Sequence, residues 1–137
     1  MKKYILYLLA LTLLATQLVS CTKDTAGAEK TLAQNMLGDK TWYMDYSQTG
    51  TALKTYVGQS TYFINFLKDG RTNDSDGLVG TYTVEKIGSQ LQIHVQAKTS
   101  SGNTNEYVYN VESVGAKNLI LSFQVSGVKT TYYYSTK

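Results

Sequence analysis

Alternation of apolar and polar side chains dominates the chain after residue 40. Within residues 90–97 every second position is apolar, from Leu91 to Ala97, and the positions between them carry glutamines and His94. The same two-residue period recurs in residues 80–86, 107–113 and 119–125. Successive side chains of a β-strand point to opposite faces, so this pattern predicts half-buried antiparallel strands.

Turn signals separate the alternating runs and set the number of strands. Dipeptides that end in glycine, such as Asp69-Gly70 and Ser126-Gly127, supply the positive φ that tight hairpins require. The runs predict seven strands, with an eighth candidate at residues 53–57. The seven cover residues 41–47, 61–67, 79–86, 90–97, 106–113, 118–125 and 128–135.

The connections between these strands are too short for the helical crossovers that parallel pairing needs. The sequence therefore predicts an all-β protein, an antiparallel up-and-down meander of seven to eight strands. Such a meander either closes into a barrel or folds into a two-sheet sandwich, and the short sequential hairpins favour the barrel. One short N-terminal helix is expected over residues 29–37, with Leu32, Met36 and Leu37 on its apolar side.

The first 20 residues have the pattern of a cleaved export signal. A basic start at Lys2 and Lys3 precedes an apolar run over residues 5–16. A helix of that length spans about 18 Å, which is shorter than the roughly 30 Å hydrocarbon core of a membrane. The run therefore indicates a signal peptide at residues 1–20 rather than a permanent membrane helix.

The sequence Leu18-Val19-Ser20-Cys21 resembles the bacterial lipobox. The resemblance implies that Cys21 becomes the lipidated N-terminal residue, which anchors the protein in the cell envelope, most often at the outer membrane, on its periplasmic face or at the cell surface. The alternative is an ordinary thiol that follows a secretory signal. Under the lipobox interpretation, residues 21–30 are the lipidated cysteine and a flexible tether, and residues 31–137 form the domain.

Several short motifs along the domain resemble the lipocalin-like domain of small bacterial lipoproteins, which are calycin-type β-barrels. They follow the short helix in a fixed order. The motifs are Leu37-Gly38-Asp39-Lys40-Thr41-Trp42, Phe63-x-x-Phe66-x-x-Asp69-Gly70, Gly80-Thr81-Tyr82-Thr83-Val84, Leu91-x-Ile93, Tyr109-x-Val111-x-Ser113 and Leu119-x-Leu121. The resemblance spans about residues 32–135 and implies a lipocalin-like barrel in which Trp42 is buried at the start.

Charge and residue counts argue against several classes of function. The chain has 13 basic and 10 acidic residues, and because Lys2 and Lys3 lie in the signal the domain is nearly neutral, which disfavours a nucleic-acid partner. A single cysteine and a single histidine disfavour disulfides and zinc. His94 is expected to be a solvated strand residue. No catalytic constellation or cofactor motif is found, so we expect neither enzymatic activity nor a cofactor.

The segment 69–77 holds three aspartates, including Asp74 and Asp76. Its spacing fails the EF-hand pattern, because Thr72 and Thr83 occupy the first and last ligand positions. The segment is therefore predicted as a long solvated hairpin loop, and an opportunistic cation site is the alternative.

Tyrosine is the unusual feature of the composition, with 12 in the chain. A tyrosine offers an apolar ring and a hydroxyl, which suit sugars, amphipathic ligands and protein interfaces. The inward faces of the strands make five of them candidates for a ligand site: Tyr82, Tyr107, Tyr109, Tyr132 and Tyr134. One hypothesis is a barrel that binds a small apolar or amphipathic molecule or a glycan. The other is a solid-core barrel that acts as an envelope-complex subunit or as an inhibitor of a hydrolase.

The lipobox yields a direct prediction about Cys21. Replacing Cys21 with Ala removes the thiol that would carry the lipid, so the Cys21→Ala protein should be released from the membrane fraction or stay unprocessed. Cell fractionation and immunoblotting measure this, with Ser20→Ala as a control that keeps a small residue before the cysteine. A Cys21→Ala protein that stays as firmly in the membrane fraction as the wild type would contradict the lipobox interpretation.

Overall fold

The computed structural model describes residues 22–98 and 102–137. The export signal at residues 1–20 and the lipidation site at Cys21 lie outside these ranges. A helix, α1 (Thr22–Leu37), precedes nine strands. The strands are β1 (Lys40–Thr49), β2 (Ala52–Thr55), β3 (Phe63–Phe66), β4 (Arg71–Asp74), β5 (Val79–Ile87), β6 (Gln90–Lys98), β7 (Thr104–Val114), β8 (Asn118–Val125) and β9 (Val128–Ser135).

Eight of these strands form a closed antiparallel barrel. Each strand from β3 to β9 pairs with the next, and β1 pairs with both β3 and β9. The β1–β9 ladder runs from the Tyr43–Ser135 pair to the Thr49–Thr130 pair and is interrupted by a bulge at Asp45. The all-β meander with one N-terminal helix is therefore confirmed, and it closes as a barrel rather than a sandwich.

One barrel strand, β4, lies inside the segment predicted as a solvated loop. Arg71 to Asp74 pair with β3 on one edge and with β5 on the other, so the loop prediction for residues 69–77 is wrong over these four positions. Only Thr72 of this strand is buried, and its hydroxyl donates to the carbonyl of Asn65 at 2.8 Å. A strand without apolar alternation forms here because its neighbours supply both ladders.

The eighth candidate from the sequence is a strand, but it is not part of the closed ring. β2 pairs only with β1, through residues Tyr46 to Thr49, on the edge that β3 occupies further down. All four residues of β2 are exposed. The short β1–β2 hairpin therefore extends the wall at one end of the barrel.

Helix α1 closes the other end of the barrel and begins earlier than the sequence indicated. It starts at Thr22 rather than at residue 29, so it includes residues 22–30, the segment expected to be a tether. Ala33 and Leu37 are buried against the barrel, whereas Leu32, predicted on the same side, is 55% exposed. Glu29 forms an ion pair with Lys86 of β5. No helix among the described residues is long and apolar enough to cross a membrane.

The end of the barrel beneath α1, here called the floor, is filled by side chains. Trp42 and Phe66 are fully buried there, and the indole Nε1 of Trp42 donates to the carbonyl of Leu37 at 3.1 Å. The predicted burial of Trp42 is confirmed. Among the described residues, the other fully buried apolar side chains include those of Leu37, Val84, Ile93, Val95, Ala97, Leu119 and Leu121.

The position of Trp42 predicts a large effect on stability. Replacing it with Ala should lower the free energy of unfolding by about 3–5 kcal/mol, because the cavity left in the floor cannot collapse. Leu53→Ala on the exposed β2 should change it by less than about 0.5 kcal/mol. Urea denaturation followed by circular dichroism measures both. An equal effect of the two substitutions would contradict the packing described here.

Candidate functional site

Four of the five candidate tyrosines gather at the end of the barrel opposite α1, here called the mouth. The mouth is the end at which β4 and β8 stop and β5 and β9 begin. Tyr109, Tyr132 and Tyr134 line one cavity there, together with side chains of β1, β3 and β4. Tyr107 lines two adjacent cavities.

The fifth candidate, Tyr82, is not part of this group. Its hydroxyl donates to the carbonyl of Leu67 at 3.0 Å, and its ring packs edge-on against Phe66 with centroids 4.9 Å apart. Tyr82 and Tyr107 both pair with Val95 in the ladders. Because strands in a barrel are tilted and staggered, residues in one row of a ladder stand at different heights. Tyr82 therefore packs towards the floor.

The rings at the mouth form a contiguous aromatic cluster. Phe123 stacks on Tyr132 with centroids 5.4 Å apart, and Tyr109 meets Phe123 edge-on at 6.0 Å. Tyr132 and Tyr134 follow at 6.1 Å. Phe123, in the alternating run 119–125, belongs to this cluster as well. Its place in the alternation shows that it points inward but not that it stands beside the tyrosines.

The hydroxyls of this cluster lie in a desolvated environment. Burial raises the pKa of Tyr134 well above its usual value, and Tyr109, Tyr132 and Asp74 add to the rise. Burial likewise raises the pKa values of Tyr109 and Tyr132. No described residue forms a hydrogen bond with the hydroxyl of Tyr109, Tyr132 or Tyr134. Partly buried hydroxyls of this kind need water or a ligand as a partner.

The turn between β4 and β5 supplies a carboxylate to the same region. Asp74 Oδ1 accepts hydrogen bonds from the backbone N–H groups of Asp76 and Leu78, at 2.9 and 3.0 Å. Burial raises the pKa of Asp74 despite these two bonds. The described residues contain no group of three or more histidine, cysteine, aspartate or glutamate side chains that could hold a metal ion. The side chain of Asp74 therefore folds the turn and faces the mouth.

Three cavities meet at Tyr109. The innermost has a volume of about 140 Å³ and is lined by Met44, Tyr62, Phe63, Ile64, Asp74, Ser75, Asp76, Tyr109, Tyr132 and Tyr134. A second, of about 430 Å³, lies over Asp74, Leu78, Lys98 and Tyr107. A third, of about 370 Å³, lies between β7 and β8. These three cavities therefore lie at the mouth, above the filled floor.

The third cavity marks a gap in the barrel wall. The β7–β8 ladder ends at the Asn110–Ser122 pair, although β7 continues to Thr104 and β8 continues to Val125. Beyond that pair, β7 is bonded only to β6 and β8 only to β9. We call this gap between residues 106–109 and 123–125 the seam. It opens the mouth sideways, towards the outer surface of the barrel.

His94 has a less solvated environment than its sequence pattern indicated. Its side chain is only 23% exposed, and Nδ1 lies 3.6 Å from Glu106 Oε1. Its Nε2 is buried and has no hydrogen-bond partner among the described residues. It points outward from β6, away from the tyrosine cluster, and no nucleophile on the described residues is bonded to it. Its surroundings therefore add no catalytic group to the mouth.

Comparison with protein-family models, with curated proteins and with solved structures finds no match for this chain. The closed eight-stranded antiparallel barrel is compatible with a calycin-like fold. Function is therefore inferred from the geometry of the mouth.

The two environments of the tyrosine hydroxyls predict effects of different size on stability when a hydroxyl is removed. Tyr82→Phe leaves the carbonyl of Leu67 without its donor and should destabilise the fold by about 1 kcal/mol. Tyr134→Phe removes a hydroxyl without a described partner and should change the free energy of unfolding by less than about 0.5 kcal/mol. Urea denaturation at neutral pH measures both. A larger loss for Tyr134→Phe than for Tyr82→Phe would show that the Tyr134 hydroxyl supports the fold.

Proposed function

We propose that this protein is a non-catalytic, lipocalin-like lipoprotein that binds a small amphipathic molecule or a glycan at the mouth of its barrel. The observation that carries the proposal is the tyrosine-lined cavity, in which three hydroxyls have no partner among the described residues. Hydroxyls in such a position form hydrogen bonds with a ligand at little cost to the fold. The rings beside them offer apolar faces to the same ligand.

The filled floor limits what the barrel takes up. Trp42, Phe66 and Leu119 are fully buried, so side chains already occupy the floor that a long chain would have to enter. An eight-stranded barrel has room for its own side chains or for one small ligand. The ligand is therefore expected to be shallow, with one part in the innermost cavity and another in the seam. A molecule with a polar end and an apolar end fits these surroundings.

The proposal includes the anchor at Cys21, which rests on the lipobox pattern alone. An envelope lipoprotein holds its domain at a membrane, where amphipathic molecules are concentrated. The barrel at residues 31–137 is proposed to work at the outer membrane, on its periplasmic face or at the cell surface. No cofactor, metal ion or nucleic acid has a part in this function.

A thermal-shift screen tests whether the mouth binds a ligand. Short-chain fatty acids, isoprenoid alcohols, steroids and oligosaccharides form the test set. A ligand present at 100 times its Kd stabilises the folded state by about 2.7 kcal/mol, which is a readily measured shift in Tm. At least one class is expected to stabilise the wild-type protein.

Variants locate any binding that the screen detects. Tyr109→Phe should lower the affinity for the ligand about tenfold, because it removes the hydroxyl of a residue that lines all three cavities. Tyr133→Phe is the matched control, since Tyr133 stacks on Tyr46 outside the barrel with centroids 4.1 Å apart. Equal losses in both variants, or no shift from any compound class, would count against a binding mouth.

The alternative function is that of an interaction protein, and one observation favours it. Val108, Val125 and Val128 are 40%, 59% and 52% exposed and lie beside the seam. Exposed apolar side chains next to unpaired strand edges suit contact with another protein. In that case no compound in the thermal-shift screen should stabilise the protein. Val108→Lys should then abolish capture of an envelope protein.

A further inference from the structure

The innermost cavity has a charge character that selects among small ligands. Two carboxylates, Asp74 and Asp76, line it together with five aromatic rings, and no lysine, arginine or histidine lies in its described lining. The rings belong to Tyr62, Phe63, Tyr109, Tyr132 and Tyr134. The faces of aromatic rings carry negative charge density and attract a cation within about 6 Å.

Several acidic side chains of the barrel have a lysine or arginine partner, whereas the two aspartates of the mouth have none among the described residues. Asp39, Asp69 and Glu112 each form an ion pair with a neighbouring lysine or arginine. Asp74 and Asp76 form no ion pair with any residue in the described ranges. Asp74 is half-buried, and the two backbone N–H groups that bind it both donate to Oδ1. A partly desolvated carboxylate without a cationic partner is costly, and a cation that reached it would offset that cost.

The tyrosine hydroxyls also favour a ligand that donates hydrogen bonds. Tyr134 is 8% exposed, and its hydroxyl faces the cavity without a partner among the described residues. The charge of Asp74 acts on both Tyr109 and Tyr134 and contributes to the raised pKa of each, after burial. Asp74, Tyr109 and Tyr134 also line the same cavity. A positive group placed between them interacts with the carboxylate, the hydroxyl oxygens and the ring faces at once.

The size of the cavity limits the cation to one small group. A cavity of about 150 Å³ holds a molecule the size of benzene, and the innermost cavity has about 140 Å³. Tyr109 and Tyr132 also line the seam, whose other walls include Val108, Phe123 and Val125. An ammonium group with a short apolar tail therefore fits, with its head in the innermost cavity and its tail in the seam.

We propose that the ligand of the mouth is an amphipathic ammonium compound, whose cationic head lies between Asp74 and the tyrosine rings. This inference rests on the proposed binding function and names the chemical class of its ligand. An anionic head would be repelled by Asp74 and Asp76. A neutral sugar head would leave the charge of Asp74 unpaired.

Probes with one tail and different heads test the proposal on the full-length chain. Isothermal titration calorimetry compares hexyltrimethylammonium, hexylamine, hexyl glucoside and hexyl sulfate. The two cations are expected to bind at least about tenfold more tightly than the glucoside, and the sulfate most weakly. Whichever of the two cations binds more tightly shows whether the mouth prefers a quaternary or a primary ammonium head.

Two aspartate variants tie the preference to the mouth. Asp74→Asn keeps an oxygen for the turn and should lose about tenfold in affinity for the cations while changing that for hexyl glucoside less than twofold. Asp76→Asn should lose affinity in the same direction, which covers the case in which Asp74→Asn fails to fold. Asp39→Asn, at the end of the barrel near α1, is the matched control and should bind as the wild type does.

The outcomes separate this inference from the function on which it rests. Binding of the glucoside as tight as that of the cations, or a cation preference that survives in both mouth variants, would overturn the ammonium head and leave a binding mouth in place. No binding of any probe, together with no shift in the thermal screen, would overturn the proposed function itself.

Discussion

The limited interior of an eight-stranded barrel is the constraint on which the rest of this structure depends. A ring of this size has room for the side chains of its own strands and for little else. Here Trp42 and Phe66 occupy the floor and α1 covers it, with the indole of Trp42 bonded to the carbonyl at the end of that helix. Large side chains fill one end, and the three cavities described above lie at the other. The site is therefore where the core stops.

The stagger of the strands decides which residues share that site. Tyr107 and Tyr82 are both in register with Val95, yet one lines the mouth and the other bonds to Leu67. The aromatic cluster instead combines β7, β8 and β9, whose tyrosines and Phe123 meet across the open part of the wall. A shared row in a ladder is thus a poor guide to which side chains lie at the same height inside the barrel.

The sequence was most informative where one face of a strand is apolar and buried. The predicted ranges 118–125 and 128–135 agree with β8 and β9 at both ends, and 90–97 falls one residue short of β6. Alternation could not reveal β4, because Arg71, Asn73 and Asp74 are polar and Thr72 is the only buried member. The turns at Asp69-Gly70 and Asp76-Gly77 carry a signal for it, since two turns at that spacing leave room for one short strand.

Helix and site show what a single sequence leaves open. Residues 22–30 are polar and small, which suits a tether as well as the first turns of a helix, and the contact of Glu29 with Lys86 is a tertiary one. Four of the five tyrosines selected from the inward faces line cavities at the mouth, and their part in binding stays a prediction. Asp74 and Phe123 were not selected, because their role depends on the turn and on the seam, which are properties of three-dimensional stagger.

Ring closure by β1 and β9 has a consequence for how the chain folds. Their contact joins Ser135 to Asp45 over 90 positions, whereas the other barrel ladders join strands that are close to one another along the chain. Short hairpins close at low entropic cost, so they form first, and the first and last strands meet after them. Until that moment both carry an unpaired edge that could capture a second chain. Closure removes these two edges, and among the described residues open strand edges stay at the seam and along β2.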